Sequence, residues 1–203
     1  MALIDVNGTQ IHYLDEGPRD APAIVFSNSM FFDVTMFEKQ AAAFADNYRV
    51  VRYDHRGQGG STKAPRDKLD MDTLADDTAA LIEALGLQKC CFVGNSMGGF
   101  IALRLAARRP DLIASAVIMG SSADAEVSVE AMDAVVEVIE QNGVSPVVED
   151  ILYFMLGDTT LNDPDRAATK QRVTKMLESR TPHYADSVWN IAHRSPVTDE
   201  LEN

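Results

Sequence analysis

Positive charge is scarce in this chain. Eighteen Lys and Arg stand against 31 Asp and Glu, a net charge of −13, and the acidic residues are spread along the sequence rather than gathered in a tail. Such a surface repels nucleic acid and anionic membranes, so neither is expected as a partner. The acidity reads instead as the charge that keeps a cytoplasmic protein in solution. Long apolar runs are missing as well. The N-terminus, Met-Ala-Leu-Ile-Asp-Val, has no basic region and no extended apolar stretch, so it is neither a secretory leader nor a membrane span. Cysteine is limited to the adjacent pair Cys90 and Cys91 in a strand-like run. Successive strand side chains point to opposite faces, which places the two badly for bridging. Both read as small buried hydrophobes in a reducing compartment. Repeats and low-complexity tracts are absent.

What is present is an ordinary globular composition, 46% apolar and 24% charged over 203 residues, enough for one core with a modest insertion. Residues 2–6 and 10–14 alternate around Asn7-Gly8, a hairpin signal. Ala23 to Phe26 is wholly apolar, as a buried parallel strand is. Met36, Phe37, Gln40, Ala43 and Phe44 follow at helical spacing, then a strand-like run from Tyr48 to Tyr53. The next helix carries a stripe at Leu74, Leu81, Ile82 and Leu85, with Asp72 as its N-cap and Gly86 just past its end. A strand to Val93, a helix ended near Pro110 and a strand from Ala116 to Met119 complete the segment. Alternation of this kind predicts a mainly parallel sheet with helices on both faces and its site at the carboxyl ends of the strands. From about Glu126 to Arg194 the pattern turns helical. Ser145-Pro146, Asp163-Pro164 and Thr181-Pro182 each read as a capping residue before a first-turn proline, so four helices are expected, forming a cap over the sheet.

The most informative residues are Gly94-Asn95-Ser96-Met97-Gly98-Gly99. A serine flanked at two residues on either side by glycine, between an apolar strand and a helix, has the pattern of a nucleophile elbow. The bend is tight enough that side chains two positions away collide, hence glycine. It lifts the serine hydroxyl clear of the sheet and leaves the next N–H at a helix start without an intrahelical acceptor. The competing reading is a serine that merely caps the helix after it.

With these motifs in place, the chain resembles the α/β-hydrolase superfamily, and within it the 3-oxoadipate enol-lactonases, small esterases and cofactor-free haloperoxidase-like enzymes. Four stretches carry the likeness: Phe26-Ser27-Asn28-Ser29-Met30, the loop Arg52 to Ser61 with its Asp54-His55-Arg56-Gly57-Gln58-Gly59-Gly60-Ser61 core, the elbow, and Pro196 to Leu201. The resemblance implies an α/β-hydrolase fold, with residues 1–125 as core, 126–195 as helical cap and 196–203 as the lead-in to further core strands. It implies Ser96 as nucleophile and the backbone N–H groups of Ser29 and Met97 as the oxyanion hole. No metal or organic cofactor is expected. The partner is a small ester or lactone. Asn95 departs from the commoner residues before the nucleophile.

Other residues have duller readings. Asp54 and Arg56 read as a loop held by an internal ion pair rather than as substrate contacts, since Arg carries five fixed donors. His55 reads as a loop or surface residue, and His12, in the first hairpin, as remote from the site. Phe154, Met155 and Trp189 either line an acyl pocket or pack between cap helices. Arg166, Arg172, Arg180 and Arg194 read as solvated helix-face arginines. A serine needs a histidine base oriented by a carboxylate, and after Ser96 only His183 and His193 occur, both in cap helices. The run Ile151 to Leu156 before Gly157-Asp158 reads as helix, not as the acid-bearing strand. Acid and base are therefore expected beyond Asn203. The residues here should expose a sheet edge and associate, with themselves or with that segment. The leading expectation is a serine hydrolase acting through an acyl-enzyme. A non-catalytic ligand-binding protein and a perhydrolase using the same residues remain open.

Overall fold

The computed structural model describes residues 2–201. Six strands make one sheet: β1 (Ala2–Val6), β2 (Thr9–Glu16), β3 (Ala23–Ser27), β4 (Arg49–Tyr53), β5 (Cys90–Asn95) and β6 (Ile113–Met119), in the order β1-β2-β4-β3-β5-β6. β1, β2 and β4 pair antiparallel, and β4, β3, β5 and β6 run parallel. The opening turn holds Asn7 and Gly8 at φ 46° and 73°, the double-positive turn whose twist suits a two-residue hairpin. β6 begins at Ile113, three residues earlier than the periodicity indicated.

Helices cover both faces because the central strands are apolar on both sides. α1 (Glu38–Phe44) and the residue before it bring Phe37 and Ala41 against Ile24, Phe26 and Val50. α2 (Met71–Ala84) and α3 (Met97–Arg108) build the larger core on the other face, with Leu74, Leu81, Ile82, Ile101 and Leu105. Cys90 lies in this larger core and Cys91 packs against the smaller one. The two thiols therefore face opposite sides and are free. Cys91 is only half-buried, because the smaller face is thinly covered.

The N-cap of α2 is Asp70, not Asp72. Asp70 accepts the Thr73 N–H at 2.8 Å. Asp72 lies inside the first turn and receives Arg104 Nε at 2.5 Å and Arg108 at 3.0 Å instead. Gly86, at φ 63°, ends the helix as anticipated.

Residues 126–195 are helical: α4 (Val129–Asn142), α5 (Val148–Met155), α6 (Asp158–Asn162), α7 (Ala167–Glu178) and α8 (Tyr184–Ala192). These are five helices rather than four, because a break at Leu156-Gly157 separates the short α6. Of the three capping pairs only Asp163 caps, accepting Asp165 N–H at 2.9 Å. Ser145 opens a 3-10 turn without a side-chain cap bond, and the Thr181 hydroxyl meets His183 Nδ1. The two necks of this segment are tied together. Arg194 reaches Glu126 at 3.0 Å and the Asp124 carbonyl at 3.2 Å, and Val197 N–H donates to Ala123 at 2.8 Å. α9 (Thr198–Leu201) returns to α3 through Arg108 and Glu200. Among the described residues β6 has a partner on one side only, and residues 114–118 are exposed, Val117 and Ile118 included.

Candidate active site

β5 ends at Asn95 and α3 begins at Met97, which leaves Ser96 alone at the junction, at φ 50° and ψ −113°. A non-glycine residue holds that conformation only when its surroundings enforce it. The enforcement is visible. The Ser96 N–H donates to the Met119 carbonyl at 2.8 Å, and Ser121 Oγ donates to the Ser96 carbonyl at 2.8 Å. A Cβ on Gly94 would strike the Gly98 backbone, and one on Gly98 would strike the Ser27 carbonyl. Both glycines are there so that strand, helix and the end of β3 can cross at van der Waals distance. Ser96 is half-buried, neither sealed in the core nor inside a continuous helix. Met97 is the first residue of α3, so its N–H has no intrahelical acceptor.

Ser29 lies two residues past β3, beside the elbow. Its hydroxyl bonds the Asn95 side-chain oxygen, and its N–H meets the Met36 thioether, a weak acceptor, at 3.3 Å. The preceding carbonyl, of Asn28, accepts from Gly98 N–H and from His55 Nε2, each at 3.1 Å. The Asn28 amide donates to the Tyr53 carbonyl at 2.9 Å. Asn95, the unusual residue of the elbow, thus touches the loop that carries the other expected donor.

The loop from Asp54 to Ser61 is pinned, but not by an internal pair. Asp54 accepts Val34 N–H at 2.7 Å, Gly60 N–H at 2.8 Å and His12 Nδ1 at 2.6 Å. Burial pushes its carboxyl above the ordinary value against the pull of these donors. Arg56 grips Asp77 on α2 at 2.6 and 2.7 Å and the Asn7 carbonyl at 2.9 Å. The expected Asp54–Arg56 pair is therefore replaced by two pairs reaching outward, because each side chain emerges on a different side of the loop. His12 projects from β2 into this loop, and among the described residues no hydrogen bond joins it to Ser96. His55 is not a surface residue. It is 1% exposed, packs edge-on against Tyr53 with ring centres 5.0 Å apart, and burial pushes its pKa down to about 4.

The helical segment rests on these same loops. Tyr184 stacks on Phe31 at 5.8 Å, and His183 Nε2 meets the Gly57 carbonyl at 2.5 Å. Arg180 donates to the Phe31 carbonyl at 2.8 Å and pairs with Asp33 at 3.1 Å. Arg180 and Arg194 are thus engaged, not solvated, each drawn onto backbone carbonyls at a loop. Phe154 is 86% exposed. Met155 packs against the larger core, and Trp189 stacks on His193 at 4.1 Å beneath Arg66. Among the described residues none of the four histidines hydrogen-bonds Ser96: His12 and His55 serve the loops, His183 the Gly57 carbonyl, and His193 Asp133 and the Trp189 carbonyl. A groove of about 780 Å³ between α6 and α7 shares no residue with the elbow. The described residues hold no cluster of three metal-ligating side chains and no helix long and apolar enough to cross a membrane.

A strand-bend-helix serine on a mostly parallel sheet with an opening antiparallel hairpin has the architecture of the α/β-hydrolase fold. The chain belongs to the α/β-hydrolase fold family, whose model matches residues 22–192. It is 37% identical over 185 residues to 3-oxoadipate enol-lactonase 1 of Acinetobacter baylyi, which covers 91% of this chain and 68% of that protein. It is 41% identical over 117 residues to a bifunctional esterase/perhydrolase of Acinetobacter calcoaceticus, covering 57% of this chain and 42% of the relative. An enol-lactonase structure from Burkholderia xenovorans superposes with a TM-score of 0.85 at 29% identity, over 96% of this chain and 75% of that one. The chain spans about half the length of several curated relatives it matches.

Proposed function

We propose that this chain carries the nucleophile and oxyanion hole of a serine hydrolase that cleaves a small carboxylic ester or lactone. The observation that carries the reading is Ser96 at positive φ between β5 and α3, with the N–H of Met97 at the helix start and that of Ser29 on the adjoining loop. Ser96 Oγ attacks the carbonyl carbon. The two N–H groups hold the oxygen as it becomes negative, in a site where fixed dipoles need no reorganisation. The intermediate collapses to an acyl-Ser96, expelling the alcohol, or in a lactone opening the ring. Water then attacks the acyl group and releases the acid. A histidine must take the serine proton and pass it to the leaving oxygen, and a carboxylate must orient that histidine. We assign both to polypeptide outside residues 1–203, since the four histidines described here are engaged elsewhere.

The enol-lactonase and esterase relatives support an ester or lactone as substrate, and the esterase/perhydrolase relative supports attack on the same acyl group by peroxide as a second outcome. We assign residues 1–125 to the core, 126–195 to the cap and 196–203 to the return to the core. The acidic composition and free thiols favour a cytoplasmic protein without nucleic-acid or membrane partners, and the open β6 edge favours association with a further segment or a second copy. The test is ester hydrolysis by the full-length protein and by Ser96→Ala. The expected loss is about 10⁴-fold or more in kcat. Equal turnover by both proteins would leave a ligand-binding role as the better reading.

A further inference from the structure

The peptide unit between Asn28 and Ser29 has two ends. Its N–H is the donor assigned above to the oxyanion. Its carbonyl accepts two hydrogen bonds, from Gly98 N–H and from His55 Nε2, each at 3.1 Å. We propose that His55 is a positioning residue: by donating from Nε2 to the Asn28 carbonyl it fixes the plane of this peptide and strengthens its N–H toward the substrate oxygen. The proposal rests on the oxyanion assignment of Ser29.

Three observations support it. First, the bond fixes the imidazole's chemistry. Nε2 can donate only if it carries the proton, and the ring is neutral because burial drives its pKa to about 4. Nδ1 is then a bare acceptor, and it is buried without a hydrogen-bond partner among the described residues. A buried nitrogen left unpaired is unfavourable, so an apolar ring would pack there at less cost unless the other nitrogen were required. Second, the ring cannot drift. It lies edge-on to Tyr53, whose hydroxyl bonds Ser27 at 2.9 Å and Thr78 at 2.8 Å. Third, donation into one end of a peptide polarises the other, since chained hydrogen bonds reinforce one another in a low-dielectric interior. Gly98 makes the matching bond from α3, so the same carbonyl is held from the elbow and from the loop after β4.

A glutamine places its amide near the position of Nε2, whereas asparagine reaches only as far as Nδ1. In the full-length protein, His55→Gln should keep kcat within about threefold of wild type. His55→Asn should lower it about tenfold with KM unchanged in both, a split expected of a group acting in the transition state. Ser96→Ala is measured alongside. If it retains full activity, the hydrolase reading fails irrespective of His55. If it is inactive while folded His55→Gln and His55→Asn turn over equally, the positioning role alone is overturned. Should either variant fail to fold, nitrogen NMR of the wild-type imidazole decides. A proton on Nε2 across the neutral range upholds the role, and a proton on Nδ1 overturns it.

Discussion

The two N–H groups assigned to one oxygen are built in opposite ways. Met97 opens a helix whose register fixes its direction, and the twelve residues of α3 hold it with bonds among themselves. Ser29 sits on a loop that no regular ladder supports. Its geometry depends on partners 25 to 66 residues away: the Tyr53 carbonyl, His55 and Asn95. Arg180 secures the same loop at Phe31 from 149 residues downstream, where Phe31 is held at φ 69°. One donor is therefore as stable as its helix, and the other only as stable as the weakest of several tertiary contacts.

The sharpest way to break this comparison is where loop and helix touch. A methyl group on Gly98 would strike the Ser27 carbonyl, which is strand backbone and cannot swing aside. Gly98→Ala should cost about 3 kcal/mol or more in urea unfolding and abolish turnover. A loss below about 1 kcal/mol would mean that the two elements are not in such close contact.

Acid should separate the two donors next. His55 in the folded protein titrates near 4, against 6.5 when exposed. Below 6.5 the unfolded chain gains a proton that the folded chain refuses. The contribution is therefore complete above 6.5 and falls away as the pH drops toward 4, by on the order of 3 kcal/mol. Asp54, pushed upward by burial, acts in the reverse sense, its penalty growing as the pH rises through its folded value. His55→Gln retains Asp54, so the difference in acid unfolding between it and wild type isolates the imidazole. Hydrogen exchange should show amides around Ser29 and Val34 opening before those of α3. Simultaneous loss would show that loop and helix open as one unit.

The smallest effect concerns Asn95. Asn95→Leu and Ser29→Ala each remove the bond between the loop and the residue before the nucleophile, and each should lower kcat about fivefold, near 1 kcal/mol. The double variant should be no worse than either single one, because both remove the same contact. Additive losses would show that the two side chains act separately.

This contrast also explains what was legible in the chain. Strands, the hairpin turn, the elbow and the helix start at Met97 follow from periodicity and from spacing within about ten residues; the turn and the elbow lie where that spacing put them, and β6 starts three residues earlier. The Asp72 cap missed by two positions because two acidic residues flank the helix start and only backbone geometry selects Asp70. The partners of His12 and the burial of His55 were not legible for a different reason. Their partners, Asp54 and the Asn28 carbonyl, lie on loops after other strands, and His55, between charged neighbours, gives no local sign of burial. Arg56 was expected to hold its own loop and instead crosses to Asp77, a choice decided by packing between β1, β4 and α2. The helical segment was recognised from its periodicity, but its seat on the loops depends on single long side chains such as Arg180.

Trp189 is the sole tryptophan of the chain, and its indole lies flat against the His193 imidazole with Arg66 5.3 Å from its centre. Arg66 reaches from the core to Asp186 on α8, while His193 reaches Asp133 on α4 within the helical segment. Light absorbed by this indole therefore samples the seam between α8 and the Arg66 loop and not the sheet. Its emission offers a native optical gauge of that seam which needs no attached dye.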